Sequence, residues 1–312
     1  MFYLCIRLIT KHMDEITKIE TVDQYDQLFG LETLHPLVNV IDFSKATKSV
    51  EYIRMNIGFY CLFLKDAKCG DLKYGRKNYD YQEGTVVCMA PGQVSGIDNR
   101  NRTAPRTKSI GVLFHPDLIR GTSLGQNIKN YTFFSYEVNE ALHLSDQERE
   151  IATDCIHKIR LELEHTIDKH SKQLIVRNIE LLLDYCMRFY ERQFITRNQA
   201  NKDIVVKFEQ LLDEYFQNQV AMTEGLPSVK YFADKACLSP NYFGDLIKKE
   251  TGKTAQEYIQ CRIIELAKER ILEGVQTVSQ VAYELGFQYP QHFSRLFKKH
   301  VGCTPNEYKQ KN

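Results

Sequence analysis

The sequence predicts an α+β chain, with a β-rich N-terminal half, then a helical hairpin, and then an all-α segment. Three observations lead to this prediction. Short β-branched and aromatic runs separated by turn residues fill residues 37–114. Apolar residues at helical spacing follow Ser145. A helical pattern then occurs twice between Ser228 and Tyr308.

The predicted strands lie in four runs, PLVNVIDF, YIRMNIGFYCLFLK, TVVCMAPG and SIGVLFH, which begin at Pro36, Tyr52, Thr85 and Ser109. Turn-forming segments lie between them: KCGD, YGRKN, QEG and PGQVSGIDN. Many short strands joined by Gly-containing turns are typical of a β-barrel or a β-sandwich. We expect this domain to span residues 13–145.

The helical hairpin is predicted over residues 146–193. Ser145 and Glu148 form a capping box at its start. Apolar residues follow at helical spacing: Ile151, Cys155, Ile159 and Leu163. A second helix is expected from Ser171, with a heptad-like seam of Ile175, Ile179, Leu182, Cys186 and Phe189. This seam suits either packing within the domain or a dimer interface, and the sequence leaves both open.

Residues 194–203, FITRNQANKD, are polar and aperiodic, and we expect a linker there before a C-terminal domain at residues 204–312. The repeat lies in this domain. SVKYFADKACLSPNYFGDLIKKETGKTAQEYI aligns with TVSQVAYELGFQYPQHFSRLFKKHVGCTPNEYK. The matched residues are Phe243 and Phe293, Ile247 and Phe297, Lys248 and Lys298, Lys249 and Lys299, and Gly252 and Gly302.

Each copy of the repeat predicts two short helices joined by a tight turn. Thr277 and Gln280 form a capping box, and Ser228 starts the equivalent helix without one. Gly286 ends its helix, where we expect a positive φ. Pro240 and Pro290 suit the first turn of the second helices, because the missing N–H has no partner there. The pattern is a helix-turn-helix, present twice.

A longer helix from Thr254 to Leu272 is expected to join the two units. Thr254 and Glu257 form its capping box. Its buried stripe is predicted to be Tyr258, Ile259, Ile263, Leu266, Ala267 and Ile271. Such a helix is roughly 28 Å long at ~1.5 Å per residue, and one turn of B-DNA is about 34 Å. The connector could therefore hold two recognition helices over successive major grooves.

The second helix of the second unit is expected to bury Phe293 and Phe297. The residues left facing outward are Gln291, His292, Ser294, Arg295 and Lys298. Arginine pairs with guanine and glutamine with adenine in the major groove. Lys298 and Lys299 are placed to contact phosphates, which position the protein without specifying sequence. We therefore predict that this helix contacts double-stranded DNA.

Residues 203–308 resemble the AraC/XylS family of bacterial transcription regulators. The most specific part is VAYELGFQYPQHFSRLFKKHVGCTPNEY, and the first copy, ADKACLSPNYFGDLIKKETGKTAQEYI, is less close. The resemblance implies two helix-turn-helix units that bind promoter DNA. It places base contacts at Asn241, Gly244 and Asp245 in the first unit and at Gln291, His292 and Arg295 in the second. Tyr242, Lys248 and Lys249 complete the predicted DNA-contacting set of the first unit.

Two of these positions in the first unit carry residues that are poorly suited to base contact. Gly244 has no side chain, and Asp245 would repel phosphate, although it could accept a hydrogen bond from cytosine. We therefore expect the second unit to carry more of the sequence specificity. For the N-terminal half, the resemblance implies a cupin-like barrel that binds a small effector and helices that form a homodimer. We expect an activator that contacts RNA polymerase, although the sequence itself leaves activation and repression open.

Composition and charge exclude several other functions. The formal net charge is +1, and residues 203–312 hold 14 Lys and Arg against 14 Asp and Glu, so only local clusters can attract DNA. The nine cysteines lack a disulfide or metal-ligand pattern, as expected of a cytoplasmic protein. His35 and His115 are too far apart in sequence for a cupin metal site. We predict no enzyme activity, metal or cofactor.

Two further predictions concern the start of the chain and the rival function. The opening MFYLCIRLI is too short to span a membrane, and Met13 is as good a start as Met1. The rival hypothesis is a small-molecule-binding or protein-interaction protein whose helical C-terminal domain docks another protein. Sequence-selective DNA binding that weakens as salt rises separates the two hypotheses.

Overall fold

The computed structural model describes residues 16–65, 69–74, 77–81, 84–98, 109–137, 140–166, 168–196 and 198–311. The chain divides into two compact units, and the boundary lies between Thr196 and Arg197. The choice between Met1 and Met13 as the start lies outside the described residues. None of the described helices is long and apolar enough to cross a membrane.

The described strands of the N-terminal unit form two five-stranded sheets. They are β1 Ile16–Ile19, β2 Val38–Asp42, β3 Tyr52–Ile57, β4 Tyr60–Lys65, β5 Cys69–Tyr74, β6 Lys77–Tyr81, β7 Thr85–Met89, β8 Val94–Asp98, β9 Ser109–Phe114 and β10 Leu142–His143. One sheet has the order β1-β3-β8-β5-β6 and the other β10-β7-β4-β9-β2. The described strands do not close into a barrel.

The four predicted runs contain β2, β3, β4, β7 and β9. The predicted turn segment YGRKN lies between β5 and β6, which pair antiparallel with Tyr74 opposite Lys77, and Pro91 and Gly92 form a turn before β8. The prediction was wrong for the described residues of KCGD, which lie in β5, and for VSGID, which forms β8. Gly96 illustrates the reason, since it pairs with Arg54 on β3 and with Lys73 on β5. Ladder hydrogen bonds on both sides hold the glycine extended in spite of its low strand propensity.

Three short α-helices precede the hairpin in the described residues. They are α1 Val22–Phe29, α2 Pro116–Ile119 and α3 Ser123–Asn127. A core of buried residues forms where α1 meets the strands, with Tyr25 edge-on to Phe59 at 5.9 Å between ring centroids. Aromatic edge-to-face pairs of this kind stabilise cores beyond the area that they bury.

Asp26 is a fully buried carboxylate on α1. Its Oδ2 accepts hydrogen bonds from the Thr33 hydroxyl and the Asn39 amide, each at 2.8 Å, and its Oδ1 has no partner among the described residues. Burial raises the pKa of Asp26 to about 6, and the two hydrogen bonds offset part of that effect. Because the folded pKa lies above the unfolded one, Asp26 makes the fold less stable as pH rises through about 4 to 6.

The predicted hairpin is present as α4 Asp146–Glu164 and α5 Ser171–Thr196. The Ser145–Glu148 capping box is confirmed, and the second helix begins at Ser171 as predicted. Arg192 on α5 donates to Glu148 at 3.0 Å and to the carbonyl of His143 at 2.7 Å, which ties α5 to the start of α4 and to β10. The whole seam of α5 is buried within the unit: Ile175, Ile179, Leu182, Cys186 and Phe189. Of the two alternatives for the seam, packing within the domain is therefore confirmed.

The boundary between the two compact units falls within the predicted linker at residues 194–203, but its described residues are helical rather than aperiodic. Helix α5 continues to Thr196, and the next helix, α6 Asn198–Gln217, begins two residues later. Phe194 and Asn201 are buried. The segment contains no Gly or Pro, so nothing in it opposes helical backbone, and polar composition alone was misleading.

Every described secondary-structure element of the C-terminal unit is a helix. Its helices are α6 Asn198–Gln217, α7 Val220–Glu224, α8 Val229–Lys235, α9 Pro240–Thr251, α10 Ala255–Glu273, α11 Val278–Glu284, α12 Pro290–Val301 and α13 Pro305–Lys311. The predicted capping boxes at Thr254 and Thr277 are confirmed, and Ser228 caps α8. Helices α8 and α9 form the first helix-turn-helix, and α11 and α12 form the second.

The connector α10 packs against helices of both helix-turn-helix motifs, α9 of the first and α11 and α12 of the second, and against α13. Its predicted stripe is buried at Ile259, Ile263, Ala267 and Ile271, and half-buried at Tyr258 and Leu266. Arg262 donates to Asp213 on α6 at 2.8 Å, and Arg270 donates to Glu284 on α11 at 3.1 Å. Nineteen residues make α10 about 28 Å long. A single helix thus packs against both helix-turn-helix motifs.

Candidate nucleic-acid interface

The two helix-turn-helix turns have the same backbone geometry. Leu238 N–H donates to Ala233 at 2.9 Å, and the equivalent Phe287 N–H donates to Ala282 at 3.0 Å. The residue before each donor has a positive φ, 58° at Cys237 and 90° at Gly286. The expected positive φ at Gly286 is confirmed. A left-handed residue at this point ends the first helix and sets the direction of the second.

Gly286 is also required by its surroundings. A Cβ at this position would lie 2.6 Å from the carbonyl carbon of Gly225, which is closer than real Cβ contacts come. Gly225 follows α7, so the turn of the second unit rests directly on that backbone. Cys237, by contrast, is exposed in the turn of the first unit.

Helix α9 presents a narrow polar face. Its buried stripe consists of Tyr242, Phe243, Leu246 and Ile247. Asn241, Lys248 and Lys249 are exposed, and Asp245 is half-buried. The prediction that Tyr242 contacts DNA was wrong, because its side chain lies in the core. The four buried residues take up much of the circumference of this 12-residue helix.

Helix α12 presents a wider and more basic face. Only Phe293 and Phe297 are buried in it. The exposed residues include the predicted contacts Gln291, His292, Arg295, Lys298 and Lys299. No acidic residue occurs in PQHFSRLFKKHV. Arg295 therefore projects from a surface whose charges attract DNA.

Ser294 does not share that exposed face. It is half-buried, and its hydroxyl donates to the carbonyl of Pro290 at 3.1 Å. The prediction that Ser294 faces outward was therefore wrong in part. A serine within a helix commonly bonds back to the preceding turn, and this bond competes with outward contacts.

Glu257 at the start of α10 is influenced by lysines from both α9 and α12. A hydrogen bond from the Thr254 N–H lowers the pKa of Glu257, the Thr254 hydroxyl adds to this effect, and Lys248 and Lys299 make smaller electrostatic contributions. Lys248 lies in the last turn of α9 and Lys299 in that of α12. Cations at the ends of both recognition helices thus favour the charged form of the same carboxylate.

Sequence reasoning missed Tyr289, the residue before α12. It occupies the N-cap position, where Ser, Thr, Asp and Asn are preferred, yet 54% of it is exposed and its side chain makes no capping hydrogen bond. The signal was present in the repeat, because Tyr289 aligns with Ser239.

In the described part of the N-terminal unit, His35, His115 and Tyr60 make structural contacts. Nδ1 of His35 accepts from the Leu37 N–H at 3.1 Å, and Nδ1 of His115 accepts from the Asp117 N–H at 3.2 Å. Tyr60 is stacked on Phe114 at 5.0 Å between ring centroids. Tyr60, Tyr79 and Tyr81 are aromatic candidates for lining an effector pocket, with core packing as the alternative, and the side chains of Tyr79 and Tyr81 lie outside the described residues. Within the described residues, no three His, Cys, Asp or Glu side chains converge as for a metal.

Comparison with known proteins assigns the C-terminal unit. A family model described as a helix-turn-helix domain matches residues 232–311. An uncharacterized transcriptional regulatory protein of Bacillus subtilis, YesN, is 37% identical over 87 residues, which cover 27% of this chain and 24% of that protein. The chain carries an AraC-type helix-turn-helix domain. This confirms the predicted family resemblance for that domain.

Two other similar proteins cover different shares of this chain. A probable transcriptional regulator of Photobacterium leiognathi, LumQ, is 22% identical over 229 residues, which cover 72% of this chain and 82% of that protein. A solved transcriptional regulator from Chromobacterium violaceum, described as AraC-type, covers 36% of this chain and 94% of its own, at 19% identity and a TM-score of 0.31. The chain thus spans only about a quarter of YesN and most of LumQ.

Proposed function

We propose that this protein is a sequence-specific DNA-binding transcription regulator. The observation that carries the proposal is α12, which buries Phe293 and Phe297 and exposes Gln291, Arg295 and Lys298. In a helix-turn-helix, the second helix lies in the major groove and its side chains contact base edges. Arg295 would pair with guanine O6 and N7, and Gln291 with adenine N6 and N7.

Phosphate contacts position the domain. Lys298 and Lys299 in the last turn of α12 and Lys248 and Lys249 in the last turn of α9 are the cations available for these contacts. The balanced charge of residues 203–312 argues against strong sequence-independent binding. Affinity therefore depends on these few cations together with the base contacts.

The first unit contributes less to specificity in this proposal. Asn241 is its exposed polar residue at the start of α9, Gly244 has no side chain, and Asp245 is acidic. We expect the lysines of α9 to contact phosphates and Asn241 to contact a base. Asp245 could add a second base contact by accepting a hydrogen bond from cytosine.

The N-terminal unit is proposed to sense a small effector and to form a homodimer. Supporting the dimer, Leu174 and Leu181 lie one heptad apart on α5 and are 43% and 41% exposed, on the side away from the buried seam. A second copy of α5 would cover this pair. The cupin-like form of the unit, an activator role, the contact with RNA polymerase and a cytoplasmic location remain predictions.

Selection of bound sequences from random double-stranded DNA, followed by titration of the selected duplex at several salt concentrations, tests the proposal. We expect one enriched sequence and an affinity that falls as salt rises. Arg295→Ala should weaken binding to that duplex by ~1–3 kcal/mol and relax the preference at one base pair.

The matched control is Arg120→Ala. It removes the same charge from an arginine whose side chain is 79% exposed in the N-terminal unit, so its binding should equal that of the parent. If no sequence is enriched, or if Arg295→Ala keeps full selectivity, the protein-docking hypothesis gains over DNA binding.

A further inference from the structure

Tyr289 breaks a rule that the neighbouring helices of the domain follow. Helices α8, α9, α10 and α11 each begin after a Ser or Thr whose side chain accepts a hydrogen bond from the first turn. Tyr289 precedes α12 and makes no such bond. A poorly capped helix is less stable than a capped one. Departures from local rules without a gain in stability are expected at functional positions.

The repeat provides a direct comparison for this position. Ser239, the equivalent residue of the first unit, is buried and accepts from the Tyr242 N–H at 3.2 Å. Tyr289 replaces this compact cap with a large aromatic ring that is 54% exposed. The two residues have the same place on the same backbone motif, so the fold itself does not require tyrosine.

The ring of Tyr289 is held in a defined position. It lies edge-on to the imidazole of His292, with 5.5 Å between centroids and 68° between planes, and the His292 N–H donates to the Tyr289 carbonyl at 3.0 Å. His292 is itself one of the exposed residues on the first turn of α12. The aromatic pair therefore extends the exposed face of α12 beyond the start of the helix.

We propose that Tyr289 is a specificity-determining residue, whose ring packs on the 5-methyl group of a thymine in the major groove. The first residues of a recognition helix lie closest to base edges, and thymine is the base that presents an apolar group there. This inference rests on the proposed DNA binding and adds a base preference that Arg295 and Gln291 do not provide.

The experiment uses the duplex selected by the parent protein, with each thymine of the second unit's site replaced in turn by uracil. This change removes only the methyl group. At one position we expect the affinity of the parent to fall about fourfold, as for the loss of one buried methyl group. Tyr289→Ser should bind both duplexes equally, at about the affinity of the parent for the uracil duplex.

Folding and binding can be separated in this variant. Because Ser restores a cap, Tyr289→Ser should have a Tm equal to or above that of the parent. Tyr283→Ser is the matched control, since Tyr283 is 53% exposed on α11 and should retain the fourfold effect of uracil. The uracil comparison on the parent needs no variant, so it stands even if Tyr289→Ser folds poorly.

The outcomes distinguish this inference from the proposed function. If the parent enriches a sequence and Arg295→Ala impairs binding, but no thymine-to-uracil change alters affinity, the role of Tyr289 is refuted alone. A fourfold effect that persists in Tyr289→Ser assigns the methyl contact to another residue and also refutes it. Failure of the parent to enrich any sequence overturns both.

Discussion

Helices α9 and α12 are each 12 residues long, begin with proline and end at a left-handed glycine. Four side chains of α9 are buried, against two of α12. Two acidic residues, Asp245 and Glu250, accompany the lysines of α9, whereas α12 has none. The comparison shows that the repeat preserves the scaffold and varies the outward surface. Sequence specificity should therefore be unequal between units that fold alike.

The shared scaffold predicts matched losses of stability. Phe243 and Phe293 are fully buried at equivalent positions, so replacing either with Ala should lower the free energy of unfolding by ~3–5 kcal/mol, because each change opens a cavity. Urea denaturation measures both. A large loss at one position and none at the other would contradict the structural equivalence. Gln291→Ala, an exposed change on α12, serves as the control.

The turns should respond in opposite directions to small substitutions. Gly286→Ala should destabilise the protein by about 2–4 kcal/mol, because the Cβ meets the Gly225 backbone and φ is positive. Cys237→Gly relieves a left-handed non-glycine residue and should stabilise by no more than about 1 kcal/mol. Thermal unfolding of the two variants compares them, and equal shifts of the same sign would refute the difference between the turns.

The smallest expected effect concerns charge in the first unit. Asp245→Asn removes a negative charge from α9 and should tighten DNA binding about threefold at low salt, an effect that shrinks as salt screens it. Titration at two salt concentrations measures it. Glu214→Gln, a change at an exposed residue of α6, controls for net charge. Weaker binding by Asp245→Asn would instead assign Asp245 a direct contact with cytosine.

Much of the C-terminal unit could be predicted from the sequence. Caps at Ser228, Thr254 and Thr277, prolines in the first turns and glycines after the last turns are local signals, and the structure has helices where they occur. Arg295 and Gln291 could be assigned to the exposed face because Phe293 and Phe297 fix the buried one. Tyr242 could not, because its burial depends on how α9 packs against its neighbours.

Prediction was less successful in the N-terminal half for a related reason. Strand β8 contains VSGID, in which Gly96 favours a turn locally and is held extended by pairing on both sides. Partners distant in sequence decide such segments, whereas caps and turns depend on neighbours along the chain.

Gly244 lies on α9, the helix proposed to contact DNA in the first unit, and a Cβ there would meet no atom within 4 Å among the described residues. Its φ does not lie in the left-handed region, so other residues fit its backbone. A side chain could therefore be added at this position without repacking the core. The first unit thus retains a site at which one substitution could change the promoter sequences that the protein recognises, while its fold stays the same.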